Sequence, residues 1–247
     1  MGNTFVFIFL APLALIGFFE IYFIKPDFFF WVLILVNATI VFSLKKVKGG
    51  RFFSKEFGHS LILPLLFVNS VAAYSLIVPY RLVSQILFLT SAVFIFYYFK
   101  NIGRENNERF LENISSYGGF LAVFFFFSFF YGLKAFLGTP IWILILATTI
   151  LTTIAIFEVL WANRIPLQKG SVYIFLACLL IVQLAWALYF LPLSYNFLGL
   201  VLAICYYIII GVAKPLLRGA LSKKTVKLYL ICGLASISAV LLAAKWL

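Results

Sequence analysis

The chain has 247 residues, of which 65% are hydrophobic and 11% are charged, whereas about a quarter of the residues in a soluble domain are charged. This composition excludes an ordinary soluble domain and predicts an integral membrane protein. The net charge of +12 does not indicate nucleic-acid binding, because the basic residues are spread over short gaps between apolar runs.

A helix needs about 20 apolar residues to span a bilayer. On this template the sequence predicts an all-α fold, a polytopic transmembrane bundle of about nine helices. Four hairpins, each turning at a proline (Pro26, Pro79, Pro140 and Pro192), precede a C-terminal helix. We predict one integral membrane domain over residues 1–247, with hairpins near 4–44, 59–99, 114–161 and 171–213 and the last helix near 225–244.

The basic residues predict the orientation, because Lys and Arg are concentrated in cytoplasmic loops. The longer loops, near 45–59, 100–113, 162–170 and 214–227, hold 5, 3, 2 and 5 of the 19 basic residues. We therefore expect these loops and the N-terminus in the cytoplasm and the C-terminus outside. The expected location is a prokaryotic plasma membrane, which corresponds to the inner membrane where a cell has two.

Two of the charged residues inside predicted helices stand out, because a charge there is costly unless it is paired or reached by water. Glu20 and Lys134 each lie six residues before a turn proline, so both are expected about 9 Å below the turn. We predict a buried ion pair between them. The alternative is a local pair of Glu20 with Lys25, with the Lys134 side chain extended toward the membrane surface.

Three further polar residues in the predicted helices are candidate functional residues. Glu158 lies near the cytoplasmic end of the sixth helix and fits either a proton relay or an interfacial acid paired with Arg164, and its position favours the second. Asn69 and Gln183 are amides at similar depth in two hairpins. They could line a polar path, although such amides commonly form hydrogen bonds between helices, worth about 1 kcal/mol or less.

The first long loop combines basic and aromatic side chains, which suits an anionic membrane surface. It is a candidate site for lipid headgroups, and the alternative is that its charges only set the topology. The candidate residues are Lys45, Lys46, Lys48, Arg51 and Lys55.

Two predicted helices have distinctive residue patterns. The fifth carries a run of phenylalanines over residues 124–130, which we expect to face lipid. The ninth carries Ala235, Ala239 and Ala243 at four-residue spacing, a stripe of small residues that lets a second helix approach closely. We expect this helix to pack tightly, within the chain, against a protein partner or against a second copy. Beyond Pro215 we expect the eighth helix to stop.

No catalytic, metal or cofactor site is predicted. The sequence has one histidine, His59, and three cysteines in three separate apolar runs, so it lacks the clustered ligands of a zinc site. Hydrolase and metalloprotease motifs are absent from it.

The segment LAWALYFLPLSYNFLGLVLAICYY, residues 184–207, resembles stretches in multi-pass membrane proteins of small-genome bacteria. The resemblance implies a helical membrane fold and carries no activity with it.

Three function classes remain open. Short loops without clustered catalytic groups favour a non-catalytic scaffold or partner subunit, in contact with anionic lipid headgroups on the cytoplasmic side. The alternatives are a small transporter or channel using Glu20, Lys134 and Glu158, and an enzyme acting on lipid-linked phosphates. The fold class by itself does not choose among them.

Overall fold

The computed structural model describes residues 2–48, 55–102 and 108–244. These residues form nine α-helices and no strand, and each helix is long and apolar enough to span a bilayer. The predicted all-α fold is therefore confirmed. The helices are α1 (Gly2–Ile24), α2 (Phe29–Lys48), α3 (Lys55–Ser75), α4 (Arg81–Ile102), α5 (Glu108–Leu137), α6 (Ile141–Ala162), α7 (Leu167–Tyr189), α8 (Tyr195–Leu217) and α9 (Lys223–Ala243).

The prolines lie at the short turns, as the sequence predicts. Pro26 opens a 3-10 turn between α1 and α2, and Pro140, with extended backbone, directly precedes α6. Proline suits the start of a helix because its fixed φ is already helical and the missing N–H has no partner there. Gly138 ends α5 with a φ of +62°, and its N–H donates to the carbonyl of Lys134 at 3.0 Å.

The prediction that α8 stops at Pro215 is wrong. The helix continues through this proline to Leu217. Because Pro215 lies in the last turn, it removes one backbone hydrogen bond near the end of the helix rather than several in its middle. The turn that follows is closed by Gly219, whose φ is +69°, and by the N–H of Ala220, which donates to the Pro215 carbonyl at 2.8 Å.

The chain divides into two compact units, Met1–Gly118 and Gly119–Leu247. Unit 1 contains α1 to α4 and the start of α5, and unit 2 contains the rest of α5 with α6 to α9. The boundary lies inside α5, which has 30 residues and is about 45 Å long. The single domain predicted from the sequence stays a prediction.

Unit 1 is packed largely by aromatic and aliphatic side chains. The rings of Phe19 and Phe88 stack with their centroids 3.7 Å apart, and those of Phe67 and Phe94 stack at 4.1 Å. On α2 one face is buried at every fourth position, so that the helix presents a continuous apolar row to its neighbours. This row consists of Val32, Val36, Ile40 and Leu44.

A proline inside α3 leaves a carbonyl that a tyrosine of α4 satisfies. Pro64 has no N–H to donate to the carbonyl of Ser60, four residues earlier. The buried hydroxyl of Tyr98 donates to that carbonyl at 2.8 Å. One side chain therefore replaces the missing helical hydrogen bond and joins α4 to α3.

Unit 2 buries part of the phenylalanine run of α5. Phe125 and Phe127 are buried and the other four phenylalanines at 124–130 are half-buried, so the prediction that this run faces lipid is wrong for Phe125 and Phe127. The reason is a close crossing with α8. A Cβ atom at Gly199 would lie 2.7 Å from the Cα of Ser128, so glycine at this position lets the two backbones approach.

The surface of the described part is suited to a bilayer. Large apolar side chains are exposed along most helices, and three tryptophans, Trp31, Trp142 and Trp186, are more than half exposed. Each lies within two turns of a helix end at a short proline turn. Tryptophan commonly occupies the membrane–water interface, so these side chains fit the rim of an apolar belt.

We expect Tyr98→Phe to lower the free energy of unfolding by about 1 to 2 kcal/mol, because the Ser60 carbonyl loses its donor. In a Pro64→Ala background, residue 64 regains an N–H for that carbonyl. The loss of unfolding free energy caused by Tyr98→Phe should then be smaller by at least about 0.5 kcal/mol. Unfolding of the purified variants in mixed micelles, followed by circular dichroism, measures both. Equal losses in the two backgrounds would contradict this account.

Candidate functional site

The amide of Asn69 is bound within unit 1. Asn37 on α2 and Asn69 on α3 exchange two side-chain hydrogen bonds, of 3.0 and 2.9 Å. Each also donates to a backbone carbonyl one turn earlier, Asn37 to Leu33 and Asn69 to Leu65. Both donors and the acceptor of each amide are therefore engaged, which is the arrangement of an interhelical clamp rather than of an open polar path.

Lys134 is a structural residue of unit 2. Its ammonium group donates to the carbonyl of Tyr189, the last residue of α7, and lies 4.3 Å from the centre of the Tyr189 ring. The C-terminal carbonyls of a helix have no partner in the helix and carry its negative end. A cation in this position satisfies one of these carbonyls and is stabilised by the ring.

Glu20 borders a cavity in unit 1. The Gln85 side chain on α4 donates to a carboxylate oxygen of Glu20 on α1 at 3.4 Å. Beside them lies a cavity of about 210 Å³ between the same two helices. The Lys25 ammonium, which the sequence offers as an alternative partner of Glu20, lies instead over the ring of Phe28 at 5.8 Å.

The ion pair between Glu20 and Lys134 joins residues of different units and stays a prediction. Within its own unit each charge has a partner, the Gln85 amide for Glu20 and the Tyr189 carbonyl and ring for Lys134. The spacing of both residues, six positions before a proline, predicts their depth in the membrane but not these partners.

Glu158 is buried on α6, with 2% of its surface exposed, and it lies within electrostatic range of Tyr206 on α8. The hydroxyls of Thr148, Thr152 and Tyr206 are buried and form no hydrogen bond with any described residue. Unit 2 therefore contains a polar interior. Neither the proton relay nor the pair with Arg164 is decided by these contacts, and both stay predictions.

Gln183 differs from Asn69, its counterpart in the sequence. It lies on α7 with its side chain exposed, and it forms no hydrogen bond within the described residues. Exposed neighbours on the same helix include Leu180 and Trp186. The two amides thus occupy opposite environments, one locked between helices and the other on the outer surface.

The predicted headgroup residues have different surroundings. The Lys48 ammonium donates to the Glu56 carbonyl at 3.0 Å and to the Ser60 hydroxyl at 2.7 Å, and so ties α2 to α3. Lys46 lies over the ring of Phe42 at 5.6 Å, and Lys45 is half-buried. Arg51 lies outside the described residues, and Lys55 is the first residue of α3.

A second basic and apolar surface lies at the start of α9. A groove of about 500 Å³ is lined there by Lys223 and Lys227 together with aliphatic side chains such as Leu221 and Leu230. Basic and apolar side chains therefore line the same groove.

In the described ranges no three side chains among histidine, cysteine, aspartate and glutamate come together as a metal site would require. Comparison with known proteins gives no further guide, since no family model, no curated protein and no solved structure matches this chain. The properties of the chain's own surfaces and side chains must therefore support any functional proposal.

We expect the effects of Glu20→Gln and Lys134→Met on the free energy of unfolding to add within about 0.5 kcal/mol, because each charge has a partner in its own unit. Lys134→Met should be the more harmful change, at about 1 to 3 kcal/mol, since it leaves the Tyr189 carbonyl without this donor. Unfolding of both single variants and the double variant in mixed micelles measures the coupling. A larger coupling would instead support the ion pair.

Proposed function

We propose that the protein is a non-catalytic membrane scaffold that assembles with a second copy of itself through α9. The observation that carries the proposal is how little of α9 is covered. In its most apolar 18-residue window 6% of the residues are buried, against 22 to 56% in the other eight helices. Most residues of this 21-residue helix are thus exposed to the bilayer or to another chain, while one side of it packs on α8.

The small-residue stripe of α9 lies on the uncovered side. Ala235, Ala239 and Ala243 are all exposed. The contact with α8 is made elsewhere on the helix, at Gly233, which is buried against Ile208. The residues best suited to close helix packing are therefore not used by the described part of this chain.

A second copy of α9 is the occupant that this stripe fits best. Alanines at four-residue spacing form a shallow surface that complements an identical surface, because two such helices can bring their backbones close together. Symmetric pairs of this kind are also the commonest form of assembly among homo-oligomers. Cys232 and Ser236, both exposed, lie on the same face of α9, and their side chains are also small.

The alternative functions have less support. A transporter that uses Glu20, Lys134 and Glu158 would need its charges free to bind a solute, yet Lys134 binds the end of α7. An enzyme acting on lipid-linked phosphates would use the first basic loop, where Lys48 is bound by two protein acceptors. Neither alternative gains a specific observation of the kind that α9 provides.

We further propose that the protein lies in a prokaryotic plasma membrane with its basic loops in the cytoplasm, because these loops carry most of the lysines and arginines. Alkaline phosphatase fused after Ala220 should be inactive and green fluorescent protein at that position fluorescent. Fusions after Thr139, at a short turn, should behave in the opposite way. The reverse pattern would contradict this orientation.

We expect oxidative cross-linking in native membranes to join two copies at Cys232, since this thiol is exposed whereas Cys178 is buried. Cys232→Ser should abolish the covalent dimer. Ala239→Leu should lower its yield about fivefold or more by holding the helices apart.

Leu234→Ala is the matched control, because Leu234 is exposed on the opposite side of α9 and should leave the yield unchanged. Sedimentation of the protein in nanodiscs gives an independent measure of mass. A monomer in nanodiscs with no cross-link at Cys232 would refute assembly through α9.

A further inference from the structure

The cavity beside Glu20 combines a carboxylate with apolar walls. It lies between α1 and α4 in unit 1, has a volume of about 210 Å³ and is lined by the rings of Phe19, Phe23 and Phe88. Glu20 itself is exposed, as is Leu89 at the rim. The cavity is therefore open to the surface of a helix pair that is long and apolar enough to lie in a bilayer.

A carboxylate at this depth needs a proton or a cation as partner. Glu20 lies six residues before Pro26, about 9 Å along the helix from the turn, where an unpaired charge is costly. The two nearby cations in the sequence are engaged elsewhere. Lys25 lies over the Phe28 ring at 5.8 Å, and the Arg81 guanidinium lies over the Phe23 ring at 5.2 Å. Within unit 1 the polar partner of Glu20 is the Gln85 amide rather than a cation.

The Gln85 side chain determines what kind of cation fits. The amide nitrogen of Gln85 donates to the Glu20 carboxylate at 3.4 Å. The amide oxygen could not take this position, because the negatively charged carboxylate would repel it. The Gln85 oxygen and the remaining carboxylate lone pairs accept hydrogen bonds, and they outnumber the one N–H of the Gln85 amide that is left as a donor. A complementary ligand must therefore bring N–H donors, a positive charge and an apolar body.

We propose that this cavity binds a lipophilic primary amine in its protonated form, which enters from the bilayer. The ammonium group donates to Glu20 and to the Gln85 oxygen, which gives charge-assisted hydrogen bonds in a medium of low dielectric constant. The alkyl chain lies against the three phenylalanine rings. The volume corresponds to about seven water-sized volumes, so a chain of about eight carbons fills the cavity and extends to its rim.

The test uses the full-length protein in nanodiscs and octylamine as the probe. Dicyclohexylcarbodiimide is a lipophilic reagent that activates protonated carboxyl groups, and the activated carboxyl ends either as an N-acylurea or, when octylamine attacks it, as an octylamide with release of dicyclohexylurea. Mass spectrometry therefore follows the disappearance of the unmodified peptide that contains Glu20, so that both products count as labelling. Bound octylammonium covers Glu20, so octylamine should slow its labelling about tenfold. Octanol has a similar chain without the charge and should not slow it.

Two matched comparisons separate the amine site from general effects of the probe on the membrane. Octyltrimethylammonium carries the charge but no N–H, and it should protect Glu20 less than octylamine does. Gln85→Leu removes the second acceptor while leaving Glu20 in place to be labelled, and it should weaken the protection by octylamine about fivefold or more.

Thermal unfolding provides a readout that does not depend on labelling. Octylamine should raise the melting temperature of the wild type but not that of Glu20→Gln. Equal protection by octylamine and octanol, or an equal shift in melting temperature for the wild type and Glu20→Gln, would overturn the proposal. If Glu20 does not react with the reagent, the melting temperatures decide.

Discussion

The structure depends on one constraint, which is that a backbone carbonyl inside a bilayer cannot be left for water to satisfy. In α3 and α7 a side chain of a neighbouring helix supplies the donor. Tyr98 does so for the carbonyl that Pro64 leaves open in α3. Tyr131 and Lys134 do so near the end of α7. These hydrogen bonds determine which helices pack together. The apolar helix surfaces contribute less to that choice, because lipid tails are about as apolar as the side chains they would replace.

The same constraint separates structural polar residues from candidate functional ones. The sequence does not distinguish Asn69 and Lys134 from Glu20 and Gln183, because all four are polar residues in apolar runs. The first two have their hydrogen-bonding capacity used within a unit. Gln183 is exposed, and Glu20 is exposed with part of its hydrogen-bonding capacity taken up by the Gln85 amide. A polar group that faces outward from a membrane helix has to find its partner in a ligand, a lipid or another chain, and the proposed amine site beside Glu20 is a surface of this kind.

The proposed scaffold and the proposed amine site are independent of each other. The first depends on α9 in unit 2, whose small residues are uncovered, and the second on a cavity between α1 and α4 in unit 1. Assembly through α9 requires only shape, since its stripe carries no charge. Binding beside Glu20 requires charge and donors, since its walls are otherwise apolar. Each proposal therefore draws on a different physical property, and the loss of one leaves the other standing.

The sequence by itself determined the all-α membrane fold, the nine helices and the proline turns, because the length of an apolar run and the missing N–H of proline act locally. It also singled out Glu20, Lys134, Asn69 and Gln183 as unusual in hydrocarbon. Only the tertiary structure decided which of them are engaged, because a partner such as Gln85 or Tyr189 lies about 55 to 65 positions away. The burial of phenylalanines in α5 could likewise not be predicted from the sequence, because the close packing of Gly199 against Ser128 joins residues about 70 positions apart.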